Sequence, residues 1–133
     1  MHSLEISSQL ENLPDVEAMI EKVCEELGVN EELFGNVLIA VTEAVNNAII
    51  HGNKSLPSKK VTIIVNKKAQ EVIFTVGDEG AGFDFENIPD PTAPENIEKL
   101  NGRGIFLMKN LSDNVEFEAN GTKVNITFVV GNG

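Results

Sequence analysis

The segment from Asn30 to Gly52 constrains this chain more than any other. Leu33, Val37, Ile39, Val41, Val45 and Ile49 make it long and mostly apolar, and a helix of that kind is stable only where its apolar surface is covered. Asn30 is suited to cap its start, and Glu31 and Glu32 fall in the first turn, where carboxylates interact favourably with the helix dipole. Thr42, Glu43, Asn46 and Asn47 interrupt the apolar run, so it falls short of the roughly 18 continuous apolar residues that mark a membrane span. The expectation is a helix ending near His51-Gly52 and buried in the centre of a domain, with no membrane involved.

The flanking pattern fits a helix-and-sheet domain. Leu4, Ile6 and Ser8 alternate with Glu5 and Ser7, which predicts a first strand. Val16, Met19, Ile20, Val23 and Leu27 recur at helical spacing between Pro14, tolerated in a first turn, and Gly28, a C-terminal stop. Val61–Asn66 and Glu71–Val76 predict a hairpin, and residues 114–118 and 122–130 a second one around Asn120-Gly121. Residues 84–101 contain Pro89, Pro91 and Pro94 and little pattern, the mark of a functional lid or a disordered loop. With helices preceding strands that pair as hairpins, the fold class is α+β: a two-layer α/β sandwich with a mixed, mostly antiparallel sheet covered on one face by helices.

Composition excludes several functions. A chain of 133 residues suits one domain, residues 1–133, with one core. A net charge of −11 argues against direct nucleic-acid binding, which needs clustered Lys and Arg. The single cysteine, Cys24, lies in an apolar stripe and reads as core; two histidines are too few and too scattered for a zinc site. The N-terminus lacks a basic region followed by an apolar stretch, so a cytoplasmic location is expected.

Chemistry concentrates in four places. Glu43 and Asn47 are four apart and share one helical face within an apolar segment. One reading makes that face a solvated edge. The other makes the Asn47 amide oxygen a hard ligand for Mg²⁺, with Glu43 one turn earlier placed to take a proton from an attacking hydroxyl. After a strand comes Gly77-Asp78-Glu79-Gly80-Ala81-Gly82, where glycines permit close approach of a ligand and Asp78 can accept from an exocyclic amine; the same residues also make ordinary turns. Gly102-Arg103-Gly104 opens a short helix whose free N–H groups suit phosphates, or else hinges the preceding loop. Gly121-Thr122 alone is a hairpin turn. No P-loop is present, so a nucleotide site here is of another kind.

In order and spacing, Glu43-x-x-x-Asn47 with His51-Gly52, Asp78-x-Gly80-x-Gly82, Gly102-x-Gly104 and Gly121-Thr122 resemble the GHKL (Bergerat-fold) ATPases. Within them the run Thr42–Gly52 and the stretch Gly104–Met108 look like those of stand-alone anti-sigma-factor serine kinases. The resemblance implies ATP and Mg²⁺ as ligands, Glu43 as general base and Asn47 as metal ligand, with Asn46 its adjacent alternative. It implies Asp78 at the adenine amine, Gly80 and Gly82 shaping that pocket, and Thr122 supporting it. Gly102 and Gly104 would cradle phosphates beneath a lid of residues 85–101, with Arg103 adding charge. The implied activity is transfer of the γ-phosphate to a serine of an anti-anti-sigma partner, alternating with sequestration of a sigma factor, in a homodimer. The alternative is a non-catalytic, nucleotide-dependent binding module.

Overall fold

The computed structural model describes residues 2–80, 100–118 and 122–130. Strand β1 (His2–Ser7) leads through a 3-10 turn at Leu10–Asn12 into helix α1 (Leu13–Glu26). Pro14 stands in its first turn, and Gly28, at φ +70°, ends it in the left-handed conformation that glycine adopts without strain. Helix α2 (Glu31–Asn47) begins where the Asn30 side chain accepts a hydrogen bond from the Leu33 N–H at 2.8 Å, the cap expected of that residue.

The helix does not stop at Asn47. It widens into a π turn at Ala48–Gly52, closed by the Asn53 N–H donating to the Ala48 carbonyl at 2.8 Å. Local π turns recur at functional sites because they displace a helix end from its regular path. The continuous helix Glu31–Gly52 has a length and mean hydropathy, 1.5, sufficient to cross a bilayer. Its apolar face is instead the core of the domain: Val37, Ala40, Val41, Ala44, Val45, Ala48 and Ile49 are all buried.

That core lies against one face of a five-stranded sheet, completed by β2 (Lys60–Lys68), β3 (Glu71–Gly77), β4 (Asn114–Glu118) and β5 (Lys123–Val129) in the order β1-β2-β3-β5-β4. Period-2 alternation turns Ile6, Val61, Ile63, Val65, Val72, Phe74, Val76, Val124, Ile126 and Phe128 towards the helices. Phe74 and Phe128 meet edge to face, ring centroids 6.0 Å apart. Burial pushes the Cys24 thiol up to about 11, so this sulfur packs as a small hydrophobe, as its stripe implies. Helix α3 (Leu100–Leu111) packs beside α2 and contributes Met108 to the core.

The two-layer α+β arrangement follows the expectation, with one correction in detail. Each described strand pairing is antiparallel, whereas the sequence reading expected a mixed, mostly antiparallel sheet. Hairpins join β2 to β3 and pair β4 with β5, and β1 runs opposite to β2, which leaves no parallel neighbour among the described strands. The expected lid lies outside the described residues over 85–99, and its last two positions, Leu100 and Asn101, already belong to α3.

Candidate nucleotide site

The site is organised by the end of the buried helix. Glu43 and Asn47 are half-buried, between core-facing Ala44 and Val45 and the residues that follow. Asn47 is the last residue before the π turn, about 6 Å along the axis from Glu43 at about 1.5 Å per residue. Among the described residues neither side chain has a hydrogen-bond or ionic partner. Asn46 is half-buried as well, so burial does not separate the two amides; the four-residue spacing to Glu43 does. The Thr42 hydroxyl, next to Glu43, is buried and unpartnered among the described residues.

Asp78 begins the loop after β3. Its N–H donates to the Thr122 carbonyl at 2.8 Å, which brings together two elements 44 residues apart that the sequence paired only through the resemblance. Its Oδ1 accepts from the Gly80 N–H at 2.8 Å, a tight turn that orients the carboxylate. Burial raises the Asp78 carboxyl above its ordinary 3.8, and the Gly80 N–H and the Lys59 charge each offset part of that effect. A half-buried acceptor held in one orientation suits recognition of an exocyclic amine.

Helix end and loop meet at two glycines. A Cβ on Gly52 would sit 2.4 Å from Asp78 Oδ2, and a Cβ on Gly80 would sit 1.8 Å from the Gly52 carbonyl oxygen. Only hydrogen fits at either position without movement. The helix carrying Glu43 and Asn47 therefore terminates directly against the Asp78 carboxylate, with Asn47 about 7 Å along the axis from Gly52.

A buried polar knot holds this junction, and the sequence reading missed it. Asn53, which directly follows the expected helix end at Gly52, is 0% exposed, as is Ser8. Asn53 Oδ1 accepts from the Glu79 N–H at 2.7 Å, while its Nδ2 donates to Ser8 Oγ at 2.7 Å and to the Lys60 carbonyl at 3.0 Å. Ser8 Oγ in turn donates to the Lys59 carbonyl at 2.8 Å. The Glu79 carboxylate accepts from the Lys60 N–H, and Lys59 Nζ reaches the Glu79 carbonyl at 3.2 Å. The available signal was a lone Asn directly after His51-Gly52, which composition alone cannot distinguish from a turn residue.

No cluster of three or more His, Cys, Asp or Glu suited to a metal forms among the described residues. A cation at this site would take one protein oxygen and fill its shell with water and phosphate oxygens, which is how Mg²⁺ binds. The unpartnered Asn47 amide fits that role. Gly102 and Arg103 lie in the first turn of α3, where helical N–H groups lack intrahelical partners, and Gly104 follows directly. Gly82, Gly121 and the Arg103 side chain lie outside the described residues.

The profile of the family described as the histidine kinase-like ATPase domain matches residues 6–128. In sequence the chain is similar to the anti-sigma F factor of Bacillus cytotoxicus, 31% identical over 98% of this chain and 92% of that protein. Similarity to the anti-sigma F factor of Bacillus subtilis is 32%, over 96% and 90%. With the serine-protein kinase RsbW of Oceanobacillus iheyensis it shares 31% identity over 71% of this chain and 63% of that one. In structure the chain superposes on the RsbU and RsbW domains of a Mycobacterium tuberculosis protein with a TM-score of 0.62 at 13% identity, covering 96% of this chain and 31% of that one, a likeness of fold alone. A blue-light activated histidine kinase of Erythrobacter litoralis superposes with a TM-score of 0.52 at 27% identity, over 77% and 32%.

Proposed function

Because the chain belongs to the histidine kinase-like ATPase domain family, we propose that it is an ATP-dependent protein serine kinase and anti-sigma factor. It transfers the γ-phosphate to a serine of a small anti-anti-sigma partner and sequesters a sigma factor. The observation that carries this reading is the contact between Gly52 and Asp78, which joins the acid-amide helix to the loop assigned to adenine in a single site. The anti-sigma F factors to which the chain is similar over nearly all of its length support the protein partners.

In this reading Asp78 accepts from the adenine amine, Gly80 and Gly82 shape the base pocket, and the Thr122 carbonyl holds the Asp78 backbone. Asn47 supplies the one protein oxygen to Mg²⁺, which neutralises charge on the phosphates when bound. The first turn of α3, with Gly102, Arg103 and Gly104, faces phosphate oxygens. Glu43 accepts the proton of the incoming serine hydroxyl while its oxygen forms a bond to the γ-phosphorus. The bond from that phosphorus to the β–γ bridging oxygen breaks, and ADP leaves. We place the protein in the cytoplasm as a homodimer, the latter to be read from its mass in solution.

The test is phosphate transfer from γ-labelled Mg·ATP to the purified serine-bearing antagonist, beside capture of the sigma factor with ATP or ADP. Label on the antagonist that a Ser→Ala acceptor does not take up supports the kinase. Sigma-factor capture without any transfer establishes the alternative, a nucleotide-dependent binding module.

A further inference from the structure

Asn53 is given no contact with nucleotide in the proposed site, yet it is the residue through which four segments of the chain meet. Its backbone N–H closes the π turn on Ala48, and its side chain engages Ser8 directly after β1, the start of β2 through the Lys60 carbonyl, and the loop after β3 through the Glu79 N–H. Its amide oxygen and both ends of its donor group are thus used entirely on elements that surround Asp78. Glu79 follows Asp78 directly, and its peptide N–H is fixed at 2.7 Å from Asn53 Oδ1. Fixing that N–H fixes the peptide plane joining Asp78 to Glu79, and with it the turn in which Gly80 orients the Asp78 carboxylate at 2.8 Å.

The geometry is therefore that of a ruler between helix end and loop. Gly52 and Gly80 are too close for any side chain, so nothing between them can tune their separation. The span is set from behind, by an amide side chain of fixed length that is 0% exposed. We propose that Asn53 is the positioning residue for base recognition, holding the Asp78 carboxylate in register with the end of the buried helix and so setting selectivity for adenine over guanine nucleotides. The inference rests on the assignment of Asp78 to the adenine amine. A buried amide removed from such a network leaves the Glu79 N–H without its partner and Ser8 Oγ with the Lys59 carbonyl alone, and water entering in its place cannot reproduce a single fixed distance.

The test compares dissociation constants for Mg·ATP and Mg·GTP, by titration calorimetry on the full chain, in four proteins: wild type, Asn53→Ala, Asp78→Asn and Val23→Ala. Val23 is buried in α1, so its truncation lowers thermal stability without touching the loop. Asn53→Ala is expected to reduce the preference for ATP by about tenfold, the scale of one well-placed hydrogen bond to a charged acceptor. Val23→Ala is expected to leave the preference where it is in wild type. Should Asn53→Ala fail to fold, Asn53→Ser keeps a hydroxyl in the same space but is too short to reach Glu79, and it carries the same expectation. An unchanged preference in the Asn53 variant, beside a collapsed one in Asp78→Asn, overturns the positioning role and leaves the adenine assignment standing. Equal changes in the Asn53 and Val23 variants reduce Asn53 to a structural residue. If Asp78→Asn leaves the preference intact, the adenine assignment falls and the proposal falls with it.

Discussion

The Gly52 carbonyl oxygen occupies the space that a side chain on Gly80 would need, 1.8 Å from the position of its Cβ. The converse contact differs in kind: a Cβ on Gly52 would meet the carboxylate end of Asp78 rather than backbone. Two glycines in one junction are thus required for different reasons, one by the backbone of the helix end and one by the Asp78 carboxylate. In Gly80→Ala two backbone segments must part, and overpacking of that sort costs about 1–3 kcal/mol, a fall in Tm of roughly 4–12 °C for a chain of this size. In Gly52→Ala the carboxylate alone has to swing aside, so the fall in Tm is smaller while nucleotide affinity drops at least as far. Thermal denaturation beside nucleotide titration separates the two; a Gly80→Ala protein as stable as wild type would show that the contact does not persist in solution.

Asp78 carries a standing cost of burial. Its folded-state pKa lies above the ordinary 3.8, so between those values the folded chain binds more protons than the unfolded one, and stability falls as pH rises through that window. Above the folded-state pKa the penalty is fully present. Asp78→Asn removes the charge and keeps an oxygen for the Gly80 N–H, so the ligand-free variant should melt above wild type at neutral pH. The same change should weaken ATP binding, because an amide in that place also presents donors to the base amine. A variant that melts below wild type, measured without nucleotide, would mean that the carboxylate is held by more than the Gly80 N–H and Lys59.

Much of this arrangement was legible in the chain. The run of Val37, Val41 and Val45 fixes a buried helix by period, and the alternation through Val61, Ile63 and Val65 fixes a strand, because each pattern encodes which face meets the core. Glu43 and Asn47 stood out as polar residues at helical spacing inside that apolar run. What was not legible depends on contacts between distant segments. Ser8 and Asn53 are 45 residues apart; the alternation with Leu4 and Ile6 sets Ser8 on the inward face, but no local pattern marks Asn53 for burial or as its partner. The π turn likewise has no periodic signature: it ends at Asn53, whose side chain bonds Ser8 and the Glu79 N–H.

His51, in the π turn, supplies a pH dependence of opposite sign. Burial, and then the charge of Lys54, hold its imidazole below the ordinary 6.5. As pH falls through that value the unfolded chain takes up a proton before the folded one does, so stability present above 6.5 is lost as pH falls towards the folded pKa. His51→Gln should flatten that decline. Denaturant midpoints at about pH 7.5 and about pH 5.5, values that bracket an ordinary imidazole, provide the comparison. An equal decline in both proteins would assign the acid sensitivity elsewhere.

The roles proposed for Glu43 and Asn47 separate binding from chemistry. If Asn47 provides the one protein oxygen to Mg²⁺, Asn47→Ala should remove the Mg²⁺-dependent part of ATP affinity, with the fold intact because the half-buried amide has no partner among the described residues. Glu43→Gln keeps size and shape but cannot take a proton from the serine hydroxyl. Loss of a general base typically costs about 10²–10⁴ in rate, so this variant should bind Mg·ATP as wild type does while phosphate transfer to the antagonist falls by that factor. The two changes therefore act on different measurements, affinity with and without Mg²⁺ in one case and turnover at saturating ATP in the other. Transfer that survives in Glu43→Gln would remove the carboxylate from the chemistry. Affinity in Asn47→Ala that still rises with Mg²⁺ would move the metal to another oxygen, with the neighbouring Asn46 the first to test.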